Sequence, residues 1–209
     1  MSSTSPTAGL TGTSETKVTL SDDELRGVNN TIGLIENRSI IDGGVSFSVD
    51  LKGDGRNLVG YKAKAHTPLI NLSKENYYPI SDFWDPIYAG KGKLILDPGA
   101  FYILVSKEQV TIPPDYAAEM APYLAMVGEF RVHYAGFFDP GFGHADAGGS
   151  GSRGVLEVRC HEAPFVLEHG QIVGRLVYEK MVEIPKELYG QNIKSNYQGQ
   201  GLKLSKHFK

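Results

Sequence analysis

The sequence predicts an all-β fold, and two observations carry that prediction. Short apolar runs bounded by turn residues recur along most of the 209 residues, and no long stretch places apolar residues at helical spacing. The 25 glycines and 11 prolines supply the turns between those runs. Many short strands with Gly and Pro turns argue for a sandwich, jelly roll or barrel-like core rather than alternating strands and helices.

Taken in order, residues 1–20 read as a flexible tail or linker, because Ser, Thr and Gly offer too little apolar surface to offset their own ordering. A single domain is then expected over 21–209. Ser21 followed by Glu24 is a capping box, with Leu25 and Val28 giving a short helix its apolar side. Val45, Phe47 and Val49 alternate with Ser46, Ser48 and Asp50, the period of a strand with one face buried. Further strands are expected over 58–65, 93–96, 101–105, 109–112, 131–134, 155–159 and 172–178. Pro114 ahead of Tyr116, Ala117 and Met120 predicts a second short helix over 114–123. Residues 143–154, GHADAGGSGSRG, have few side chains that can pack and read as a mobile loop carrying Arg153.

Composition narrows the function classes. A hydrophobic share of 41% with 22% charged residues is that of a soluble globular chain, and no apolar run is long enough to span a bilayer. The formal net charge of -3 gives no basic surface for a nucleic-acid polymer. Cys160 is the only cysteine, so an intrachain disulfide and a thiolate-rich zinc site are both excluded. That usage suits a reducing cytoplasm, with Cys160 as a small core residue.

At residues 134–142 the sequence reads YAGFFDPGF, followed by VLEV at 155–158; FSVDL stands at 47–51, LDPGAFYIL at 96–104 and YQGQG at 197–201. In that order these segments resemble the deoxycytidine triphosphate deaminase family of the dCTP deaminase and dUTPase superfamily, most closely the C-terminal half of its long tandem-domain members. The resemblance implies a dUTPase-like distorted jelly roll, or β-clip, and hydrolytic deamination of dCTP to dUTP. It places Glu157 as the residue that activates water, Tyr134, Ala135, Gly136, Phe137 and Asp139 around the nucleoside, and Tyr197 and Gln200 in a C-terminal tail folding over the nucleotide. Arg153 is the candidate phosphate contact in the Gly-rich loop, with Lys203 and Lys206 as further cations. Magnesium is expected on the triphosphate and zinc is not. The partner is expected to be further copies in a trimer-like homo-oligomer, or a second homologous domain.

One departure qualifies that picture. Family members carry a K-S-S-x-x-R-like motif for the triphosphate, and here residues 121–126 read APYLAM. Apolar groups cannot replace charge-assisted hydrogen bonds to phosphate. Either another domain supplies those groups to Glu157, or this domain is a structural or nucleotide-sensing partner. A third reading is dUTP diphosphohydrolysis, with Asp139 orienting the water.

Overall fold

Ser21 opens the first element. Its Oγ accepts from the Glu24 N–H at 3.4 Å while its own N–H donates to Glu24 Oε2 at 2.7 Å, so the capping box forms and starts α1 (Asp22–Ile32). Gly33 ends the helix at φ +76°, its N–H still donating to Asn29 O. Leu25 is the helix's one buried residue, so α1 rests on the domain by a narrow contact. The structure, a computed structural model, describes residues 19–35, 40–53, 55, 57–122, 130–133, 137–191 and 201–209, with main chain alone at 122 and 130–133.

From there the chain is antiparallel β-structure. One sheet has four strands in the order β1 (Val45–Ser48), β11 (Ile172–Lys180), β6 (Tyr116–Pro122) and β8 (Phe137–Phe138). The second has five, in the order β3 (Trp84–Tyr88), β2 (Leu58–Ala63), β5 (Phe101–Val110), β9 (Ser152–Cys160) and β7 (Phe130–His133). A two-stranded ribbon pairs β4 (Lys93–Leu96) with β10 (Phe165–Glu168), and α2 (Ile80–Phe83) is a single turn before β3. Inward residues of both sheets form one cluster: Phe47, Phe138, Leu176 and Tyr178 from the first, Tyr102, Leu104, Leu156 and Val158 from the second. Each such side chain contributes about 1.5–3 kcal/mol on burial. The fully buried Tyr178 donates its hydroxyl to Thr111 O at 3.1 Å, and burial pushes its phenol far above the usual range, so it stays a donor.

The structure corrects four local expectations. Residues 116–122 are strand β6, not helix, because they pair with residues 174–180 position by position; sheet pairing overrides the modest helical preference of Ala and Met. The strands expected at 101–105 and 109–112 are one strand, β5, interrupted by a bulge in which 106–108 face Gly154 alone. In β1 and just beyond it the polar positions are buried too, Ser46, Ser48 and Asp50 at 4–7% exposure; Ser48 is satisfied there by Glu108, through its N–H (2.8 Å) and its Oγ–H (2.5 Å). The Gly-rich loop is closed by backbone bonds, Gly151 N to Gly143 O and Gly149 N to His144 O at 2.8 Å each, around a 3-10 turn at Ala145–Ala147. Its last residues, with Arg153, already belong to β9.

The C-terminus is fixed as well. Backbone bonds from Asn76, Tyr77 and Tyr78 reach Lys206 and His207, and Lys209 donates to Tyr78 O at 3.0 Å. Lys206, expected as a phosphate ligand, pairs with Glu75 at 2.6 Å. This docking carries Phe208 between Phe83 (5.5 Å) and Trp84 (5.9 Å), and Trp84 in turn packs on Phe101 at 6.1 Å.

Gly154 marks a tight junction of the two sheets, since a Cβ there would meet Phe47 Cε1 at 2.8 Å and Phe138 Cζ at 3.4 Å. Both rings are fully buried and set edge to face, 6.1 Å apart, with no room to swing. Gly154→Ala is therefore expected to lower the free energy of urea unfolding by about 1–3 kcal/mol. An unchanged midpoint would mean that the junction yields freely.

Candidate active site

The residue types that carry chemistry gather on the outer face of β9. Its even positions, from Ser152 to Cys160, are buried, while Arg153, Val155, Glu157 and Arg159 alternate onto the other side. Cys160 is a core residue, as expected, and its thiol donates to Ala163 O at 2.8 Å. Glu157 is half-buried, opposite Ile103 of β5 and at the register position facing His133 of β7. Beyond Ile103 the row continues to Tyr61 of β2, whose phenol is pushed up by burial and by the neighbouring Tyr88. Ile103 is 8% exposed, so the carboxylate stands on a rigid strand beside an apolar wall. That is a setting in which a base can be aimed without freely rotating.

Arg153 lies four residues from Glu157 on the same face and donates from Nη1 to Asp50 Oδ2 at 2.8 Å. Asp50 Oδ1 also accepts from the N–H groups of Lys52 (2.8 Å) and Gly53 (3.1 Å). Burial alone would raise the Asp50 carboxyl, but these two backbone donors and the Arg153 guanidinium outweigh it and hold the group below the usual aspartate range. Its neighbour His169 accepts from Leu51 N–H at Nδ1, 3.1 Å, which fixes the ring beside the pair. Asp50, Leu58, Val105 and Arg153, with Gly201 and Leu202 from the C-terminal segment, line a cavity of about 120 Å³.

The Asp-Pro-Gly turn is built from the core outward. Phe138 and Phe142 are buried with ring centroids 5.2 Å apart, and the turn between them is pinned by Phe142 N to Asp139 O (3.1 Å) and Gly141 N to Ile112 O (3.0 Å). Gly141 sits at φ +97° with the Leu188 Cβ 2.7 Å from where its own Cβ would be, so only glycine fits. Phe137 is 63% exposed, and Asp139 keeps much of its surface in water although partial desolvation raises its carboxyl above the usual range.

Of the residues expected at the site, the structure thus sets Glu157 and Arg153 on one strand face, with Phe137 and Asp139 at the turn of the other sheet. Tyr134, Ala135, Gly136, Tyr197 and Gln200 lie outside the described residues, as do residues 123–126 of the APYLAM stretch. Asp50 and His169 were missed by sequence reasoning. Alternation put Asp50 on a solvated face, and nothing local to it signals a partner 103 residues away.

A β-clip fold of the dUTPase type, with a half-buried carboxylate on a central strand, defines a nucleotide-handling class of protein. The sequence profile of the 2'-deoxycytidine 5'-triphosphate deaminase (DCD) C-terminal domain matches residues 21–208, and the chain belongs to that family. It is similar to the dCTP deaminase of Natronomonas pharaonis, 29% identical over 160 residues covering 73% of this chain and 74% of that one. The dUMP-forming dCTP deaminase of Kocuria rhizophila is 33% identical over 111 residues, about half of each chain (51% and 53%). Among solved structures, the 2'-deoxycytidine 5'-triphosphate deaminase from Agrobacterium tumefaciens superposes with a TM-score of 0.75 at 54% identity, over 81% of this chain. The match spans about half, 51%, of that protein's chain.

The Asp50 pair makes a pH prediction. Because its folded-state pKa lies below the ordinary 3.8, the unfolded chain binds more protons between the two values. The stability Asp50 confers is complete above 3.8 and is lost as pH falls through the lowered value. Asp50→Asn is expected to cost about 2–3 kcal/mol near neutral pH and to flatten the acid limb of stability measured by urea unfolding. A variant with the wild-type acid limb would remove Asp50 from that role.

Proposed function

We propose that this chain acts in the hydrolytic deamination of dCTP, giving dUTP and ammonia, with Glu157 as the group that moves protons. The observation that carries the reading is the position of Glu157, half-buried on β9 beside the apolar Ile103, in a chain of this family. Glu157 takes a proton from water, and the hydroxide adds to C4 of the pyrimidine. The carboxyl then returns the proton to the exocyclic nitrogen, the C4–N bond breaks and ammonia leaves, and the proton of the added hydroxyl passes to N3 as the C4 carbonyl forms.

In this reading the sugar and phosphates run from Glu157 towards Arg153, which lies two pleats along the same face, about 13–14 Å at strand spacing. Tyr134, Ala135, Gly136, Phe137 and Asp139 surround the nucleoside, and Tyr197 and Gln200 close over it. Magnesium carried by the triphosphate would supply further positive charge beside Arg153. The serines and arginine absent from residues 121–126 come from a homologous domain that carries them, at an intracellular site of deoxynucleotide metabolism.

A second reading concerns the product. The relative from Kocuria rhizophila is named dUMP-forming, so the same site would continue to dUMP and pyrophosphate, with the partly desolvated Asp139 orienting a second water. Following ammonia, pyrophosphate, dUTP and dUMP separately from dCTP and from dUTP distinguishes the outcomes. Glu157→Gln is expected to lower kcat for ammonia release by about 10²–10⁴-fold, with KM little changed. Full activity in that variant would displace Glu157 from its role. No ammonia from the chain, alone or beside a domain carrying the K-S-S-x-x-R motif, would end the deaminase reading.

A further inference from the structure

Arg153 meets Asp50 through one nitrogen only, although a guanidinium and a carboxylate can pair through two parallel bonds. The cause lies in the carboxylate. Asp50 Oδ1 is already taken by the N–H groups of Lys52 (2.8 Å) and Gly53 (3.1 Å), so Oδ2 alone is open to Arg153 Nη1, at 2.8 Å. The remaining N–H donors of the guanidinium have no protein acceptor among the described residues. Bulk water does not serve them freely either, because the side chain is 23% exposed. Donors withdrawn from water without an acceptor cost free energy, so the arrangement calls for an acceptor-rich occupant.

That occupant has a place. Asp50 and Arg153 share their cavity of about 120 Å³ with Leu58 and Val105, and Gly201 and Leu202 of the C-terminal segment form a further part of its wall. Pockets that take a whole small molecule run from about 300 Å³ upward, so this one suits a single phosphoryl group and not a nucleoside. Val105 is buried, and Leu58 and Leu202 are half-buried. Apolar walls of this kind lower the local dielectric and strengthen a charge-assisted bond made between them. The Asp50 carboxylate does not cancel the attraction, because two backbone N–H groups share its charge with Arg153.

We infer that Asp50 is a positioning residue for phosphate binding: by taking one nitrogen of Arg153 and no more, it fixes the guanidinium with its other donors presented to the cavity, where they grip the terminal phosphoryl group of the nucleotide. The inference rests on the proposed reading of Arg153 as the phosphate contact. A long side chain held in place beforehand loses little rotamer freedom when the anion arrives. Released from Asp50, the same arginine would have to be ordered by the ligand itself.

Calorimetric titration of the intact chain with tripolyphosphate, and with deoxycytidine as the control, tests it. Asp50→Asn keeps an acceptor for the backbone donors but turns an amide N–H on Arg153, and should weaken tripolyphosphate binding about tenfold or more while leaving deoxycytidine binding unchanged. Arg153→Gln should weaken it as much, and Asp50→Asn added to Arg153→Gln should cost nothing further. With dCTP as substrate, Asp50→Asn is expected to raise KM about tenfold with kcat little changed, whereas a purely structural loss would lower kcat through the folded fraction and leave KM alone. Circular dichroism confirms folding, and if Asp50→Asn does not fold, Asp50→Glu, which displaces the carboxylate by a methylene, takes its place. A wild type that does not bind tripolyphosphate, an Asp50→Asn chain that binds it unweakened, an equal loss for deoxycytidine, or an equal loss with and without Arg153 would overturn the inference. The reading of the reaction fails separately: a chain that binds tripolyphosphate through this pair yet releases no ammonia from dCTP keeps the positioning role and loses the deaminase.

Discussion

The pairing of β5 with β9 is the constraint on which the rest of the molecule depends. Phe101 to Val105 run against Arg159 to Val155, the ladder breaks at the bulge, and it resumes with Gln109 and Val110 against Arg153 and Ser152. The bulge is held from both sides: Ser106 Oγ accepts from Gly154 N (2.9 Å) and donates to Glu108 O (2.7 Å), and the Glu108 carboxylate takes both donors of Ser48. One irregularity in one strand thus ties β9 to β5 and β5 to β1 of the other sheet. Buried polar groups that are fully satisfied in this way specify a single arrangement as well as stabilising it.

That junction decides where the candidate site sits. With β9 fixed at Gly154, the strand's alternation projects Arg153, Val155, Glu157 and Arg159 to one side and leaves Leu156 and Val158 in the core. A one-residue slip would exchange the two sets and bury the carboxylate. The Asp50 pair adds a second tie at Arg153, from a residue just beyond β1.

Much of this was legible in the sequence because it depends on local pattern. The capping box at Ser21 and Glu24 is a contact between residues three apart, and the strands at 93–96 and 172–180 show the apolar spacing their pairing requires. What was not legible is what depends on distant partners. The 116–122 segment carries alanines and a methionine suited to a helix, and only β11 makes it a strand. Asp50 and Ser48 look like solvated positions until Arg153 and Glu108 arrive from 103 and 60 residues away. Glu157 was identified from a short motif, yet its setting, between Ile103 and the His133 position, follows from strand order that no local pattern encodes.

Trp84 is the chain's only tryptophan, and it touches Phe208 from the C-terminal segment on one side and Phe101, the ring beneath Arg159, on the other. Its indole N–H is buried, and no acceptor meets it among the described residues. The chain therefore carries a built-in optical probe at the point where its C-terminal strap meets the face beside Glu157. Loosening of that strap lets water reach an indole N–H otherwise shielded from it, and the emission moves to the red without any label being added.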